Sequence, residues 1–151
     1  MELKTGSAES TLDDKGRVSI PIRFREQFQG ELVISWGMEQ CIWIMRPSTW
    51  ETFEKRMRSS NEFNQEEWRY FEYKVLGQIQ PTELDKVGRI AIPPTFRRYA
   101  SLIKDCMVIC AEDRLSIWDT EVFYAYLADK SAMAQAAMNK LGTHDIFKSG
   151  D

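Results

Sequence analysis

The chain has 151 residues, of which 43% are hydrophobic and 12% aromatic, a composition that excludes a disordered tail and fits one ordinary domain or two small ones. The formal net charge of −3 excludes a basic field over the whole chain, so any binding of nucleic acid requires a local basic patch. The first 20 residues are charged where a signal peptide is apolar, and no apolar run approaches the ~18 residues of a membrane span, so we expect a cytoplasmic protein without a membrane partner.

An internal repeat spans most of the chain. Residues 12–25 align with residues 84–97 at a constant offset of 72, and eight of the fourteen positions are identical. Each copy is about 45 residues long, which is too small to bury a good core alone, so we expect the copies to fold against each other. The predicted organisation is a first repeat at 7–54, a helical linker at 55–78, a second repeat at 79–127, and a C-terminal helix and tail at 128–151.

Each copy begins with a turn that leads into a strand. Asp13 and Asp85 have carboxylates that can accept backbone N–H bonds, and Gly16 and Gly88 can adopt the positive φ that closes such a turn. Apolar and polar residues then alternate over residues 17–22, and the second copy repeats this pattern, which indicates a strand with its arginine opposite the core.

Helices and hairpins follow in both copies. Prolines end each strand and suit a first helical turn, which predicts short helices at 23–28 and 95–100. Apolar runs on either side of a turn predict hairpins at 32–45 and 106–118. The sequence from Ser48 to Glu51 has the pattern of a capping box and predicts a helix start.

Two further helices are predicted outside the repeated part. Residues 64–77 place Trp68, Phe71 and Val75 on one helical face, which indicates a core or subunit contact rather than a cofactor site. The Ala- and Met-rich stretch that follows Leu127 predicts a further helix up to residue 141.

Cysteine and histidine form no catalytic or metal-binding pattern. Cys106 and Cys110 are four residues apart, which is neither a redox pair nor half of a zinc site, and Cys41 lies in another apolar run. We expect three buried thiols. His144, the only histidine, is expected to be exposed in the tail. We therefore predict no catalytic residue, no metal site, no cofactor and no small-molecule substrate.

Positive charge is concentrated in the two copies of the motif. Residues 13–25 carry a net charge of +2 and residues 85–98 a net charge of +3, which leaves −8 on the rest of the chain. Local phosphate contacts need such segregation in an acidic protein, because the Debye length is about 8 Å in physiological salt. The predicted DNA-binding residues are these cations: Lys15, Arg17, Arg23, Arg25, Lys86, Arg89, Arg97 and Arg98.

A second interpretation of the motif is structural. In it, Asp13 and Asp85 pair with Arg17 and Arg89 to hold the turns. We favour this role for the aspartates, whereas we expect the arginines, on the face opposite the core, to have guanidiniums free to reach a phosphate or a guanine edge. We predict that the first copy makes the main contacts with bases, because Lys15 adds a cation at its turn, whereas the adjacent Arg97 and Arg98 favour the second copy.

The motif Leu-Asp-x-x-Gly-Arg-x-x-Ile-Pro-x-x-x-Arg, at 12–25 and again at 84–97, resembles the swapped-hairpin DNA-binding unit of AbrB and the related antitoxins. Two tandem copies joined by a helical linker resemble the MraZ family, the bacterial regulators of the division and cell wall gene cluster. The resemblance implies an α+β fold in which two β-rich repeats interlock as a pseudo-dimeric barrel with flanking helices. It also implies ring-shaped homo-oligomers, and binding to repeated boxes in the promoter of the protein's own gene.

Three classes of function compete for this sequence. A DNA-binding regulator explains the repeat, the Gly-Arg turns and the charge segregation together, and the resemblance implies that it represses its own operon and is nucleoid-associated. An oligomeric scaffold or antitoxin-like protein-binding module explains the repeat, but gives no reason for arginines on the non-core face of both copies. A duplicated aspartate suggests an acid protease dyad, yet a cationic arginine four residues on would keep both carboxylates ionised, so we predict no enzyme.

Overall fold

The computed structural model describes residues 5–111 and 113–142, so the prediction for His144 lies outside the described residues. Two compact units are present, Met1–Thr120 and Glu121–Asp151. The strands are β1 (Gly6–Thr11), β2 (Arg17–Ser19), β3 (Leu32–Trp36), β4 (Ile42–Met45), β5 (Gln80–Thr82), β6 (Arg89–Ala91), β7 (Asp105–Ala111) and β8 (Arg114–Asp119). The helices are α1 (Ile22–Arg25), α2 (Pro47–Ser59), α3 (Gln65–Lys74), α4 (Pro94–Ala100) and α5 (Thr120–Lys140).

The strands exchange partners between the two repeats. One antiparallel sheet has the order β1-β7-β8-β4-β3-β5, and β2 pairs with β6 in a separate two-stranded ribbon. The first strand of each repeat therefore pairs with the hairpin of the other repeat, and β4 and β8 join the two hairpins at the centre. An isolated bridge between Leu12 and Val18 connects the end of β1 to the ribbon. The predicted interlocked α+β fold is confirmed.

One hydrophobic core serves both repeats. Val18 and Ile90 face each other across the ribbon, are 0% exposed, and belong to the same cluster as residues from both hairpins. Phe24 of α1 and Phe96 of α4 are also fully buried in that cluster. Since each half supplies part of a single core, neither half encloses its own apolar side chains.

The three cysteines are buried and free, as predicted. Burial raises the pKa of the Cys41 thiol to about 12 and that of Cys106 to about 11, so both stay protonated at neutral pH. These thiols behave as small apolar side chains of the core. Among the described residues, no helix is both long enough and apolar enough to cross a membrane.

Several predicted boundaries differ from the structure. The sequence did not predict β1 and β5, and β2 is three residues long rather than six. The predicted helix after Leu127 is the second part of the continuous helix α5. The capping box at Ser48 is wrong, because α2 already begins at Pro47 and its N-cap, Arg46, makes no side-chain cap bond.

The capping box of the structure lies at α3 instead. The Asn64 side chain accepts from the backbone N–H of Glu67 at 2.8 Å, and the Glu67 carboxylate accepts from the backbone N–H of Asn64 at 2.9 Å. We expect Asn64→Ala to lower the free energy of unfolding by about 1 kcal/mol, because the backbone donors then lose their acceptor. Ser48→Ala, the matched control, should change it by less than about 0.5 kcal/mol. Equal losses in urea denaturation would contradict this assignment.

Candidate nucleic-acid interface

The turn before the ribbon is built in the same way in both repeats. In the first, Asp13 Oδ1 accepts the backbone N–H groups of Lys15 and Arg17, both at 2.9 Å, and Oδ2 accepts Arg17 Nε at 2.8 Å. Gly16 closes the turn with a φ of 80°. A single carboxylate thus organises both the backbone of the turn and the side chain of its arginine.

The second turn repeats these bonds. Asp85 Oδ1 accepts the backbone N–H groups of Val87 at 3.0 Å and Arg89 at 2.8 Å, and Oδ2 accepts Arg89 Nε at 2.8 Å. Gly88 has a φ of 83°. Val87 takes the place of Lys15 in the second copy and contributes only its backbone N–H. The side chain of Lys15 is therefore not needed to form the turn.

The arginines of these turns are less free than the sequence indicated. The side chains of Arg17 and Arg89 are 28% and 31% exposed, and each forms an ion pair through Nε. This corrects the expectation of unpaired guanidiniums. The pairs leave the terminal nitrogens of both arginines without a hydrogen-bond partner within the described part of the chain. Each arginine is therefore held by one edge while its outer edge can still donate.

The two aspartates stay ionised at neutral pH. The backbone N–H of Arg17, assisted by its guanidinium and by the N–H of Lys15, holds the pKa of Asp13 below its ordinary value of 3.8. The backbone N–H and guanidinium of Arg89 do the same for Asp85. A lowered pKa means that the folded state is stabilised above the ordinary pKa, and that this contribution is lost as the pH falls through the lower, folded value.

This linkage predicts how stability responds to acid. The Asp13→Asn/Asp85→Asn variant keeps an acceptor oxygen in each turn but removes the charge, so it should be less stable than the unchanged protein by a constant amount above pH 5. Below pH 3.8 the difference should shrink, because the natural side chains become neutral as well. Urea denaturation at pH 7 and pH 3 measures both differences. A difference that grows in acid would contradict the assignment.

The ribbon brings the two copies of the motif together. Its register pairs Arg17 with Ala91 and Ser19 with Arg89 around the central pair that enters the core. These four residues therefore share the outward face of the ribbon, with the two arginines on a diagonal at a Cα separation of about 7–8 Å. Motifs that are 72 residues apart in sequence form one continuous surface.

Arg25 of α1 and Arg97 of α4 each contact the turn of the other repeat. The guanidinium of Arg97 lies against Gly16, and the side chain of Arg25 lies against Gly88, so a Cβ on either glycine would overlap the arginine of the other repeat. Backbone bonds accompany these contacts, since Ile20 N donates to Gly88 O at 2.9 Å and Ile92 N donates to Gly16 O at 2.8 Å. Each glycine is thus required by its φ and also leaves room for its neighbour.

The structure divides the eight predicted cations into two groups. Four are exposed around the ribbon and its helices, although Arg23 Nη2 also donates to Ser7 O at 2.6 Å. Four are half-buried and make structural contacts as well. The exposed group is Lys15, Arg23, Lys86 and Arg98, and the half-buried group is Arg17, Arg25, Arg89 and Arg97. The sequence predicted that the two copies fold against each other, but not the contacts of Arg25 with Gly88 and of Arg97 with Gly16, because no local pattern reports them.

The fold and this surface define a class of protein: two tandem swapped-hairpin units, interlocked around a ribbon that carries arginine from both. The family model described as "MraZ protein, putative antitoxin-like" matches the chain twice, at residues 3–72 and 76–142. The chain belongs to the MraZ family. The two matches cover the two interlocked repeats of the structure.

Curated relatives agree with this assignment. The protein named "Transcriptional regulator MraZ" from Moorella thermoacetica is 33% identical over 93% of this chain and 98% of its own length. Its namesakes from Parafrankia sp. (strain EAN1pec) and Treponema pallidum (strain Nichols) are 34% and 32% identical, over 83% and 91% of this chain and 87% and 93% of their own lengths.

Proposed function

We propose that this protein is a DNA-binding transcriptional regulator that contacts double-stranded DNA through the β2–β6 ribbon. The observation that carries the proposal is the pairing of β2 with β6, which unites the two basic motifs of an otherwise acidic chain on one surface. The name shared by the curated relatives supports the same function.

The form of the ribbon is compatible with direct reading of DNA. A two-stranded β-ribbon fits into the major groove of B-DNA, where arginine can donate to both O6 and N7 of guanine. The ion pairs with Asp13 and Asp85 fix the Nε edges of Arg17 and Arg89, so little side-chain entropy is lost when their terminal nitrogens bind. The exposed Lys15, in contrast, is suited to contact phosphate.

We infer that the DNA sites are repeated boxes in the promoter ahead of the protein's own gene, and that occupancy represses the division and cell wall operon. The ribbon has approximate two-fold symmetry, and one chain presents one such ribbon. Ring-shaped homo-oligomers, which we also propose, would present several ribbons and bind several boxes at once, so their affinity would exceed that of one chain. Such a protein would act in the cytoplasm, at the nucleoid.

A footprint on the DNA upstream of the gene tests this function. Protection should cover the repeated boxes, and it should disappear when the boxes are scrambled. Transcription from that promoter should rise when the protein is removed. A scaffold or antitoxin-like module, by contrast, would give no gel shift even with non-specific DNA at low salt, and that result would contradict the proposal.

The salt dependence of binding should report the phosphate contacts. If the exposed cations meet phosphates, log K should fall linearly with log salt concentration, with a slope of roughly −0.9 per phosphate neutralised. Lys86→Ala should reduce the magnitude of the slope by about 1. Lys55→Ala, on the acidic remainder of the chain, should leave it unchanged. Fluorescence anisotropy between about 50 and 200 mM salt measures both slopes. A flat salt dependence would remove the basis of the phosphate assignment.

A further inference from the structure

A pocket of about 390 Å³ lies where β3, α3 and α4 meet. None of its lining residues belongs to the β2–β6 ribbon. The pocket is lined by four aromatic side chains, one cation and one amide. These residues are Trp36, Tyr70, Tyr73, Lys74, Gln78 and Tyr99. The volume lies within the range of small-molecule sites and the lining is mostly apolar with few polar groups, although the pocket is shallow and open to solvent.

The aromatic side chains of the pocket include both packed and exposed rings. Trp36 stacks on Tyr99 with ring centroids 4.2 Å apart and an interplanar angle of 9°. Tyr70 and Tyr73 of α3 are 55% and 68% exposed, so the core does not account for them. Trp36 Nε1 is buried without a hydrogen-bond partner in the described structure, which is uncommon for a buried donor. Within this pocket, Tyr70 and Tyr73 therefore leave ring surface exposed to a ligand.

Lys74 places a positive charge at these rings. Its ammonium donates to Met38 O at 2.9 Å and lies 5.5 Å and 5.6 Å from the ring centroids of Tyr70 and Tyr99. Burial disfavours the charge, but the neighbouring Tyr99 and Tyr70 outweigh this effect and raise the pKa of Lys74, so the ammonium is charged at neutral pH. Within the described residues no carboxylate lies at ion-pair distance from it.

The repeat does not require this pocket. In the other half of the fold, the pairing register places Cys110 where Trp36 lies, and the 72-residue offset places Gln27 where Tyr99 lies. The stacked pair of Trp36 and Tyr99 therefore has no aromatic counterpart at the equivalent positions of the other half. Trp36 and Tyr99 pack against the shared core, whereas Tyr70 and Tyr73 of α3 are exposed, so core packing explains the first two rings but not the last two.

Helix α4 connects the pocket to the first turn, which contains Asp13 and Gly16. Tyr99 belongs to α4. Its hydroxyl is within hydrogen-bond distance of two backbone carbonyl oxygens that can accept its proton, Gly37 O at 3.0 Å and Glu39 O at 2.9 Å. The same seven-residue helix carries Arg97, whose guanidinium lies against Gly16 of the first turn. A shift of α4 caused by a ligand at Tyr99 would therefore move a contact of that turn.

We propose that this pocket binds a flat aromatic ring carrying a carboxylate or phosphate, and that its occupancy changes DNA affinity through α4. The ring would stack on the tyrosines while its anionic group pairs with Lys74. The second part of the proposal rests on the DNA-binding function proposed above. The first part does not depend on DNA.

Calorimetry with phenyl phosphate as the probe tests the site. We expect saturable binding of phenyl phosphate to the full chain. In NMR spectra, phenyl phosphate should also shift the indole N–H signal of Trp36, which is assigned by its loss in the Trp36→Phe variant. Inorganic phosphate and benzyl alcohol should each bind at least tenfold more weakly, because one lacks the ring and the other the charge. Absent binding of phenyl phosphate, or equal binding of inorganic phosphate, would overturn the site.

Variants locate the binding. Tyr70→Ala removes an exposed ring and Lys74→Met removes the charge, and each should weaken phenyl phosphate binding at least tenfold. Tyr124→Ala is the matched control, because Tyr124 is 52% exposed on α5, in the other compact unit. Equal effects of Tyr70→Ala and Tyr124→Ala would overturn the assignment of the pocket.

DNA affinity tests the coupling separately. Saturating phenyl phosphate should change the Kd for the promoter boxes at least threefold in the unchanged protein and leave it unchanged in Tyr70→Ala. Binding of phenyl phosphate with no change in Kd would overturn the coupling. A protein that binds phenyl phosphate but no DNA would contradict the proposed function while supporting the pocket.

Discussion

The Arg17→Ala variant should bind its promoter boxes about 1–3 kcal/mol more weakly than the unchanged protein, because one bidentate contact to a base is lost. Arg89→Ala should have the smaller effect, since the first turn also carries Lys15, and the double variant should lose most specific binding. The melting temperature and the oligomer size should remain nearly unchanged, because neither guanidinium is part of the hydrophobic core. Fluorescence anisotropy and thermal denaturation measure the two effects.

Arg58→Ala provides the matched control for this prediction. Arg58 forms an ion pair with Glu54 at 3.0 Å and the same i, i+4 spacing, but it lies on α2 and outside the ribbon. Its replacement should leave DNA affinity unchanged. If Arg17→Ala unfolds the protein while the affinity per folded molecule is retained, the arginine serves only to hold the turn with Asp13.

Separation of the two repeats should abolish the monomeric fold. In a fragment of residues 1–60, β1 loses β7, β3 loses β5, and β4 loses β8, so each strand keeps at most one neighbour. Val18 also loses Ile90, and half of the shared core becomes exposed. An isolated hairpin is at best marginally stable in water, so the fragment should be unfolded or self-associated.

Sedimentation and amide NMR test this expectation. The fragment should give either narrowly dispersed amide shifts or an assembly in which a second copy replaces the missing repeat. A monomer with widely dispersed shifts would show that one repeat folds alone, and the interlocked arrangement would then contribute little to stability.

The sequence predicted the parts of the fold that have strong local patterns. Asp13, Gly16 and the alternating strand recur at a fixed offset, so the turn and ribbon could be placed in both repeats. It did not predict β1, whose sequence Gly-Ser-Ala-Glu-Ser-Thr is polar and small. This strand lies at an edge of the sheet, where pairing with β7 rather than burial defines it. The exchange of strands between repeats depends on this undetected element.

The sequence predicted which residues carry the charge of the candidate site, but not how these residues are arranged in space. The eight cations could be selected by charge and spacing, whereas the contact of Arg97 with Gly16 depends on the three-dimensional packing of the two repeats. The same limit applies to the pocket, because Trp36, Lys74 and Tyr99 come from three separate elements. Local sequence determines turns and strands, but it does not report which surfaces meet.

Hydrogen exchange of the full chain, with and without a duplex from upstream of its own gene, tests the central claim most directly. The claim is that both repeats contribute to one DNA-binding ribbon. DNA should slow amide exchange in the turns and strands at residues 13–19 and 85–91 together, and leave α2 unaffected. Slowed exchange confined to one repeat, or found in α2 rather than in the two turns, would contradict the claim.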